Sequence, residues 1–201
     1  MKRLILLLFV IAMVLLPEKN VFSQEPDSKM ENTALLIIDI QMFYFPGGSV
    51  PLVEPETAAH NASKILEFAR KNNILVIHIK HNAKSGSDIH PFVSPIEGEK
   101  IITKNEANSF NGTDLLDYLK EKNISELIIT GMQTHMCVEA ATRAAYDLGF
   151  KCTLIEDACA TRDLKFKEKI VKAEDVHFST LSALNRTYAA VITTEEFLTK
   201  P

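Results

Sequence analysis

The sequence predicts an α/β protein in which a parallel β-sheet is covered by helices on both faces. Short runs rich in Ile, Leu and Val alternate along the chain with longer segments whose apolar residues recur at helical spacing. Continuous apolar strands of this kind are typical of sheets that are buried on both sides. The length of 201 residues, of which 46% are hydrophobic and 24% charged, is that of one globular domain.

Six segments are predicted to be strands. Each is a continuous apolar run with few polar residues inside it. They span residues 33–39, 74–80, 101–104, 126–130, 152–157 and 188–194. In open parallel sheets, ligands bind beyond the carboxyl ends of the strands. Polar residues at those ends are therefore the first candidates for function.

Four segments are predicted to be helices. They span residues 55–72, 113–123, 136–148 and 165–184, and a last turn is expected at 195–198. The first has an apolar stripe formed by Ala59, Ala62, Ile65, Leu66 and Ala69. Thr113 is a suitable N-cap for the second helix, and Gly149 is a suitable stop for the third.

The N-terminal segment has the layout of a secretory signal. Lys2 and Arg3 precede an apolar run over residues 4–16, and Val21 and Ser23 offer small residues for cleavage after Ser23. The apolar run is shorter than the roughly 20 residues that a membrane-spanning helix needs. We therefore expect residues 1–23 to be a signal peptide and residues 24–201 to be an exported domain, periplasmic or secreted, without a membrane anchor after cleavage.

Charge and cysteine content exclude two classes of protein. The formal net charge is −4, and signal cleavage would remove more basic than acidic residues. Such an acidic chain has no electrostatic support for nucleic-acid binding. The three cysteines, Cys137, Cys152 and Cys159, are too few for a disulfide-held scaffold. Whether Cys152 and Cys159 pair is left open by the sequence.

Three reactive residues lie at or just beyond predicted strand ends. Asp39 ends the first strand, Lys104 ends the third, and Cys137 follows the fourth at the start of a helix. The positive end of that helix is expected to lower the pKa of the thiol. Asp39 would serve as a general base, and Lys104 would offset its charge. Each residue alone also has a structural interpretation: a buried apolar cysteine, a capping carboxylate and a surface lysine.

Three segments together resemble the isochorismatase-like cysteine hydrolases of the nicotinamidase/isochorismatase superfamily. They are TALLIIDIQ, IITKNEANSFNGTDLLDYL and ELIITGMQTHMCVEAATRAAYDLGFKCTLIEDACAT. The resemblance extends over residues 33–195 in order and with ordinary spacing. Each motif is weak by itself, but their joint occurrence is specific.

The resemblance implies a three-layer α/β/α fold with a six-stranded parallel sheet of order 3-2-1-4-5-6. It also implies a catalytic triad of Asp39, Lys104 and Cys137. A cis peptide between Met132 and Gln133 would direct the N–H groups of Gln133 and Cys137 to an oxyanion hole. By resemblance alone, we expect a homo-oligomer.

A substrate pocket is expected around the thiol. Gln41 matches the Asp-x-Gln pattern of the family and is expected to brace the triad, while aromatic residues near it would form an apolar wall. The predicted pocket residues are Gln41, Phe43, Phe45, Phe110, Thr134 and Met136, with Tyr44 among the same aromatic residues. Aromatic residues of this kind can equally be core packing.

No metal ion or other cofactor is predicted. Some members of the family hold a metal through an Asp-x-His pair and a further histidine, and Asp88 and His90 have that spacing. However, this pair lies several residues beyond the second strand, where the family motif follows the strand directly. We therefore interpret His78 as a strand-end residue and His81 as a surface residue.

The predicted activity is cysteine-dependent hydrolysis of a C–N bond in a small molecule through a thioester. Two alternatives remain at this point. One is vinyl-ether hydrolysis of the isochorismatase type, which needs no cysteine nucleophile. The other is a thiol-dependent redox or binding protein that keeps the fold without hydrolysis. The only partner expected besides a second copy is the small-molecule substrate.

Overall fold

The computed structural model describes residues 30–199 and contains a six-stranded parallel sheet. Its strands are β1 (Thr33–Ile38), β2 (Leu75–His81), β3 (Lys100–Lys104), β4 (Glu126–Met132), β5 (Lys151–Ala160) and β8 (Ala190–Ile192). Their order is β3-β2-β1-β4-β5-β8, and every pairing is parallel. This is the predicted order, because β8 is the sixth strand of the sheet. The order reverses between β1 and β4, which lie side by side.

Alternate residues of β1 enter two separate cores. Ala34, Leu36 and Ile38 pack into the core shared with α2 (Leu115–Glu121), α3 (Glu139–Asp147) and α4 (Ala173–Leu184). Leu35 and Ile37 pack into the core shared with α1 (Pro55–Lys71) and α5 (Thr194–Leu198). Burial on both faces explains why the strand is apolar throughout. The predicted three-layer α/β/α architecture is confirmed.

One helix prediction is wrong over its first eight residues. Residues 165–184 were expected to be a single helix, but Leu164–Phe166 (β6) and Lys169–Val171 (β7) form an antiparallel hairpin before α4 begins at Ala173. The hairpin places Asp163 beside the start of α4. There Asp163 Oδ1 accepts a hydrogen bond of 2.8 Å from the Ala173 N–H. A carboxylate on a free helical N–H stabilises a helix start at this position.

Two further boundaries differ from expectation. Residue 114 precedes α2, which begins at Leu115, and the Thr113 hydroxyl accepts a hydrogen bond of 3.3 Å from the Leu115 N–H. Strand β5 extends to Ala160, three residues beyond its predicted end, because its last residues pair with Gly131 and Met132 of β4. Short 3-10 turns at Met42–Tyr44 and Pro91–Val93 follow β1 and β2.

The predicted signal peptide at residues 1–23 lies outside the described residues. Within residues 30–199, no helix combines the length and hydrophobicity that crossing a membrane requires.

Candidate active site

Asp39 lies immediately after β1, at the carboxyl edge of the sheet. Its N–H donates to the Ile79 carbonyl at 2.9 Å, which continues the pairing with β2. Its backbone then turns with a φ of 50°, a left-handed conformation that aspartate tolerates better than most residues. The side chain is fully buried. A buried carboxylate requires a partner of opposite charge or several donors.

Lys104, the last residue of β3, supplies that opposite charge. Its Nζ lies 2.7 Å from Asp39 Oδ2, and both side chains are 0% exposed. The same Nζ donates to the Glu106 carbonyl at 3.1 Å. Because β2 lies between β3 and β1, a shorter side chain at this position would not reach Asp39. The long lysine stem crosses the end of β2 beside His81, its register partner.

Cys137 lies in the connection between β4 and α3. The Met132–Gln133 peptide is cis, as the resemblance implied, and one π-helical turn follows over Thr134–Val138. Cys137 is therefore inside the first helical turns, and its side chain is buried. The thiol lies close enough to Asp39 and Lys104 for both charges to act on its pKa. The structure thus brings together the three residues that the sequence singled out.

Gly131 allows this close approach of β4 to β1. Its φ is +139°, and a Cβ built on it would collide with the Ile38 carbonyl oxygen. Glycine is the only residue that fits such a position without displacing backbone. The contact holds the start of the Cys137 turn against the residue that precedes Asp39.

Burial keeps the thiol of Cys137 protonated. Loss of solvent, and then the Asp39 carboxylate, raise its pKa to about 12, although Lys104 opposes both effects. The lowering expected from the helix start does not outweigh the effects of burial and of the Asp39 carboxylate. Burial also raises the pKa of Asp39, while the Lys104 ammonium opposes the shift. The site therefore consists of a neutral thiol beside an ion pair.

The turn before Cys137 is held by three successive side chains. Gln133 donates through Nε2 to the Tyr44 hydroxyl at 3.3 Å and accepts from Arg162 Nε at 3.1 Å. Thr134 Oγ1 lies 2.9 Å from His177 Nδ1, and His135 Nδ1 lies 2.6 Å from Thr161 Oγ1. The backbone N–H of Gln133 donates no hydrogen bond to residues in the described range. It is therefore available for a ligand oxygen.

A cavity of about 300 Å³ opens in front of Cys137. Its lining includes Phe43 and Met136, two of the predicted pocket residues, together with Tyr44. The other lining residues are Ser49, Val50, His81, Ala83, Lys84, Ser85, Ala107, Gln133 and Cys137. The volume suits a small-molecule substrate.

The remaining predicted pocket residues lie outside this lining. Phe45 stacks on His90 with ring centroids 3.8 Å apart, and Phe110 packs towards Phe150 at 6.1 Å. Both aromatic rings serve packing instead, which was the alternative interpretation of such residues. Thr134 is buried, and its hydroxyl forms a hydrogen bond with His177.

Gln41 supports the site through hydrogen bonds to the backbone. It is fully buried, and its amide spans the end of β2: Oε1 accepts from the His81 N–H at 2.7 Å, and Nε2 donates to the His81 carbonyl at 3.0 Å. Nε2 also donates to the Ser87 carbonyl at 2.7 Å. The amide therefore fixes the position of His81 and of the loop that follows it.

His81 is the main residue that sequence analysis misjudged. It was interpreted as a surface residue, but it is half-buried, lines the cavity and places Nδ1 3.5 Å from Lys104 Nζ. Its position at the end of an apolar strand, like those of Asp39 and Lys104, was the signal that could have identified it.

His78, one of the histidines near the predicted Asp88 and His90 pair, binds a carboxylate of the protein. His78 Nε2 lies 2.8 Å from Glu99 Oε2, and Arg70 pairs with Oε1 of the same carboxylate. Burial acts to raise the pKa of Glu99, but hydrogen bonds from Arg70, the Ile96 N–H and His78 lower it to about 2. Within residues 30–199, no group of three or more His, Cys, Asp and Glu side chains is arranged to hold a metal ion.

The other two cysteines are not part of the cavity. Cys152 and Cys159 are buried and unpaired in the described structure. Burial raises the pKa of each thiol to about 12.

Comparison with known proteins extends over nearly the whole described chain. A family model described as the isochorismatase domain matches residues 33–196. An uncharacterized isochorismatase family protein, YddQ of Bacillus subtilis, is 45% identical over 177 residues, which cover 83% of this chain and 98% of that protein. A streptothricin hydrolase of Streptomyces noursei is 30% identical over 65% of this chain and 55% of its own length.

A solved structure agrees with the sequence relatives. The crystal structure of a putative isochorismatase hydrolase from Oleispira antarctica superposes with a TM-score of 0.81 at 40% identity, covering 85% of this chain and 97% of that one. Strand order, family model and relatives are thus in accord. The chain is a hydrolase and belongs to the isochorismatase family.

Proposed function

We propose that this hydrolase cleaves a C–N bond of a small amide, with Cys137 as the nucleophile and a thioester as the intermediate. The observation that supports this proposal is the contact between a buried thiol and a buried Asp–Lys ion pair at the wall of a small cavity. A buried ion pair is a costly feature in a protein core. Its position against a cysteine supports a catalytic role.

Acylation begins with transfer of the thiol proton to Asp39. The sulfur then forms a bond to the amide carbonyl carbon, while the ammonium of Lys104 offsets the negative charge that remains in the site. The carbonyl oxygen becomes an oxyanion, which accepts hydrogen bonds from the N–H groups of Gln133 and Cys137. Removal of one such donor typically costs about 100- to 1,000-fold in rate.

The tetrahedral intermediate collapses when the C–N bond breaks. The departing amine takes the proton that Asp39 received, so Asp39 is ionised again beside the thioester. Water then attacks the thioester carbon and gives its proton to Asp39. Breakage of the C–S bond releases the acid, and the proton returns to Cys137. One residue thus acts as base and acid in turn.

The two alternatives make different demands on Cys137. Vinyl-ether hydrolysis of the isochorismatase type needs no sulfur nucleophile, so a cysteine-free variant would keep that activity. A redox thiol must reach its thiolate form easily. Such a thiol would consume peroxide rapidly and would form no acyl adduct with an amide.

The test is a panel of small amides followed by ammonia release and by intact-mass spectrometry. We expect turnover with at least one amide and an acyl adduct on Cys137 when the reaction is quenched early. Cys137→Ala should lose both signals while far-UV circular dichroism is unchanged. Cys152→Ala, at a buried cysteine away from the cavity, is the matched control and should keep both. Undiminished turnover by Cys137→Ala would refute the proposed mechanism.

A further inference from the structure

The cavity in front of Cys137 is lined by hydrogen-bond donors and by a cation, without a carboxylate. Of its lining residues in the described chain, Lys84 is the one with a permanent charge, and none is Asp or Glu. Ser49 and Ser85 add hydroxyl groups, and His81 adds an imidazole. Asp39 is adjacent, but its charge is already paired with Lys104. The lining therefore presents an excess of positive charge and of donors.

The contact with Lys104 determines how His81 can bind a ligand. Nδ1 faces an ammonium group at 3.5 Å, so the nitrogen without a proton lies on that side. We assign the ring proton to Nε2. This nitrogen makes no hydrogen bond to another residue in the described range, although Gln41 holds the backbone of His81 through both its N–H and its carbonyl. An N–H donor is thus fixed in place without a protein acceptor.

The segment that carries Lys84 is also fixed to the rest of the site. The Phe43 N–H donates to the Gly86 carbonyl at 3.0 Å, and the Met42 N–H donates to the Asp88 carbonyl at 2.9 Å. Gln41 binds the Ser87 carbonyl on the same loop. Lys84 itself forms no ion pair with any residue of the described chain. Its charge therefore lies at the cavity without a counter-ion from residues 30–199.

We propose that the substrate is a small amide that also carries a carboxylate, and that this carboxylate is bound by His81 Nε2 and by the Lys84 ammonium. The proposal rests on the amide hydrolysis argued above. It deepens that function by assigning a substrate class and two specificity residues. Apolar lining side chains, among them Phe43, Val50 and Ala107, would pack on a short aliphatic link between the two groups.

Matched pairs of compounds test the charge preference. The probes are malonamate, succinamate and glutaramate, each compared with its diamide, which has the same length and a neutral amide where the acid carries a carboxylate. We expect the protein to favour the carboxylates in kcat/KM by about 10-fold or more, because hydrogen bonds to charged groups are the stronger ones. The preference should shrink as salt is added, since exposed charges are screened.

Lys84→Glu is the decisive variant, because the residue is exposed and its replacement leaves the core intact. Reversal of the charge should lower kcat/KM for the carboxylates about 10-fold or more relative to the diamides, mainly through KM. His81→Ala should reduce the same ratio, and His81→Gln, which keeps an N–H donor, should restore part of it. Lys120→Glu, at an exposed position on α2, is the control and should leave the ratio unchanged.

A binding measurement separates this proposal from the proposed function. Succinate lacks the amide, so calorimetric titration of the full chain with succinate and succinamide measures recognition without turnover. We expect succinate to bind more tightly and Lys84→Glu to weaken it. Equal affinity for the two compounds, or a ratio unaffected by Lys84→Glu, would overturn the assignment even if amides are hydrolysed. Charge-selective binding without any Cys137 adduct would support the assignment of the carboxylate site and would refute the thioester mechanism.

Discussion

Replacement of Lys104 by methionine tests the buried ion pair directly. The change keeps most of the lysine stem but removes the ammonium that lies 2.7 Å from Asp39 Oδ2, and both side chains are 0% exposed. Asp39 must then remain ionised without a partner or take up a proton. Removal of one partner of a buried pair typically costs about 3–5 kcal/mol.

The free-energy cost of protonating Asp39 in this variant can be worked out independently. An unfolded aspartate titrates near pH ~3.9, and each pH unit above that value adds about 1.4 kcal/mol to the cost of keeping it protonated. At pH 7 the cost is therefore about 4 kcal/mol, and at pH 5 it is about 1.5 kcal/mol. Since the folded variant has a raised Asp39 pKa, it binds more protons than the unfolded chain, and its stability falls as pH rises.

Urea unfolding followed by far-UV circular dichroism measures these differences, because the chain has no tryptophan for fluorescence. We expect Lys104→Met to lose about 4 kcal/mol at pH 7 and clearly less at pH 5. The double variant Asp39→Asn/Lys104→Met removes both charges and should recover most of the loss. A loss below about 1 kcal/mol at pH 7, or one independent of pH, would refute the reasoning about the pair.

Three further predictions concern packing and titration. Gly131→Ala should destabilise the chain by about 3 kcal/mol or more in urea unfolding, because its Cβ collides with the Ile38 carbonyl. Gly98→Ala, which also has a positive φ but has open space around it, should cost only about 1 kcal/mol. Glu99→Gln should cost about 1–2 kcal/mol of stability at pH 7 and almost nothing near pH 2. The pKa of Glu99 is lowered in the folded state, so its stabilising contribution is present above the unfolded pKa and is lost as pH falls to about 2. Equal losses of stability at both pH values would contradict this. Iodoacetamide should label Cys137 of the folded chain at pH 8 at least about 100-fold more slowly than Cys137 of the urea-unfolded chain. The reason is that a thiol with a pKa of about 12 is almost entirely protonated at this pH. Mass spectrometry of the labelled peptides measures both rates, and fast labelling of the folded chain would be the contrary result.

Much of the fold follows from local pattern. A strand buried on both faces must be apolar throughout, so β1, β2 and β4 were predicted to within a few residues. The hairpin at residues 164–171 was missed because Phe166 and Ile170 are four residues apart, a spacing that also fits a helix. A helix there would remove Asp163 from the Ala173 N–H, a contact between residues ten apart that local periodicity does not contain.

Within the site, the sequence by itself identified the residues that are candidates for the chemistry. Asp39, Lys104 and Cys137 stand out because polar or reactive side chains at or just beyond the ends of apolar strands require a reason. Only the tertiary structure decided their electrostatics: burial raises the pKa of the thiol, so Cys137 is protonated beside Asp39 and Lys104. The tertiary structure also placed His81 in the site. His81, at the end of β2, contacts Gln41 beyond β1 and Lys104 at the end of β3, and these three residues are distant in sequence. Desolvation and contact across strands depend on the assembled sheet, and no single segment encodes them.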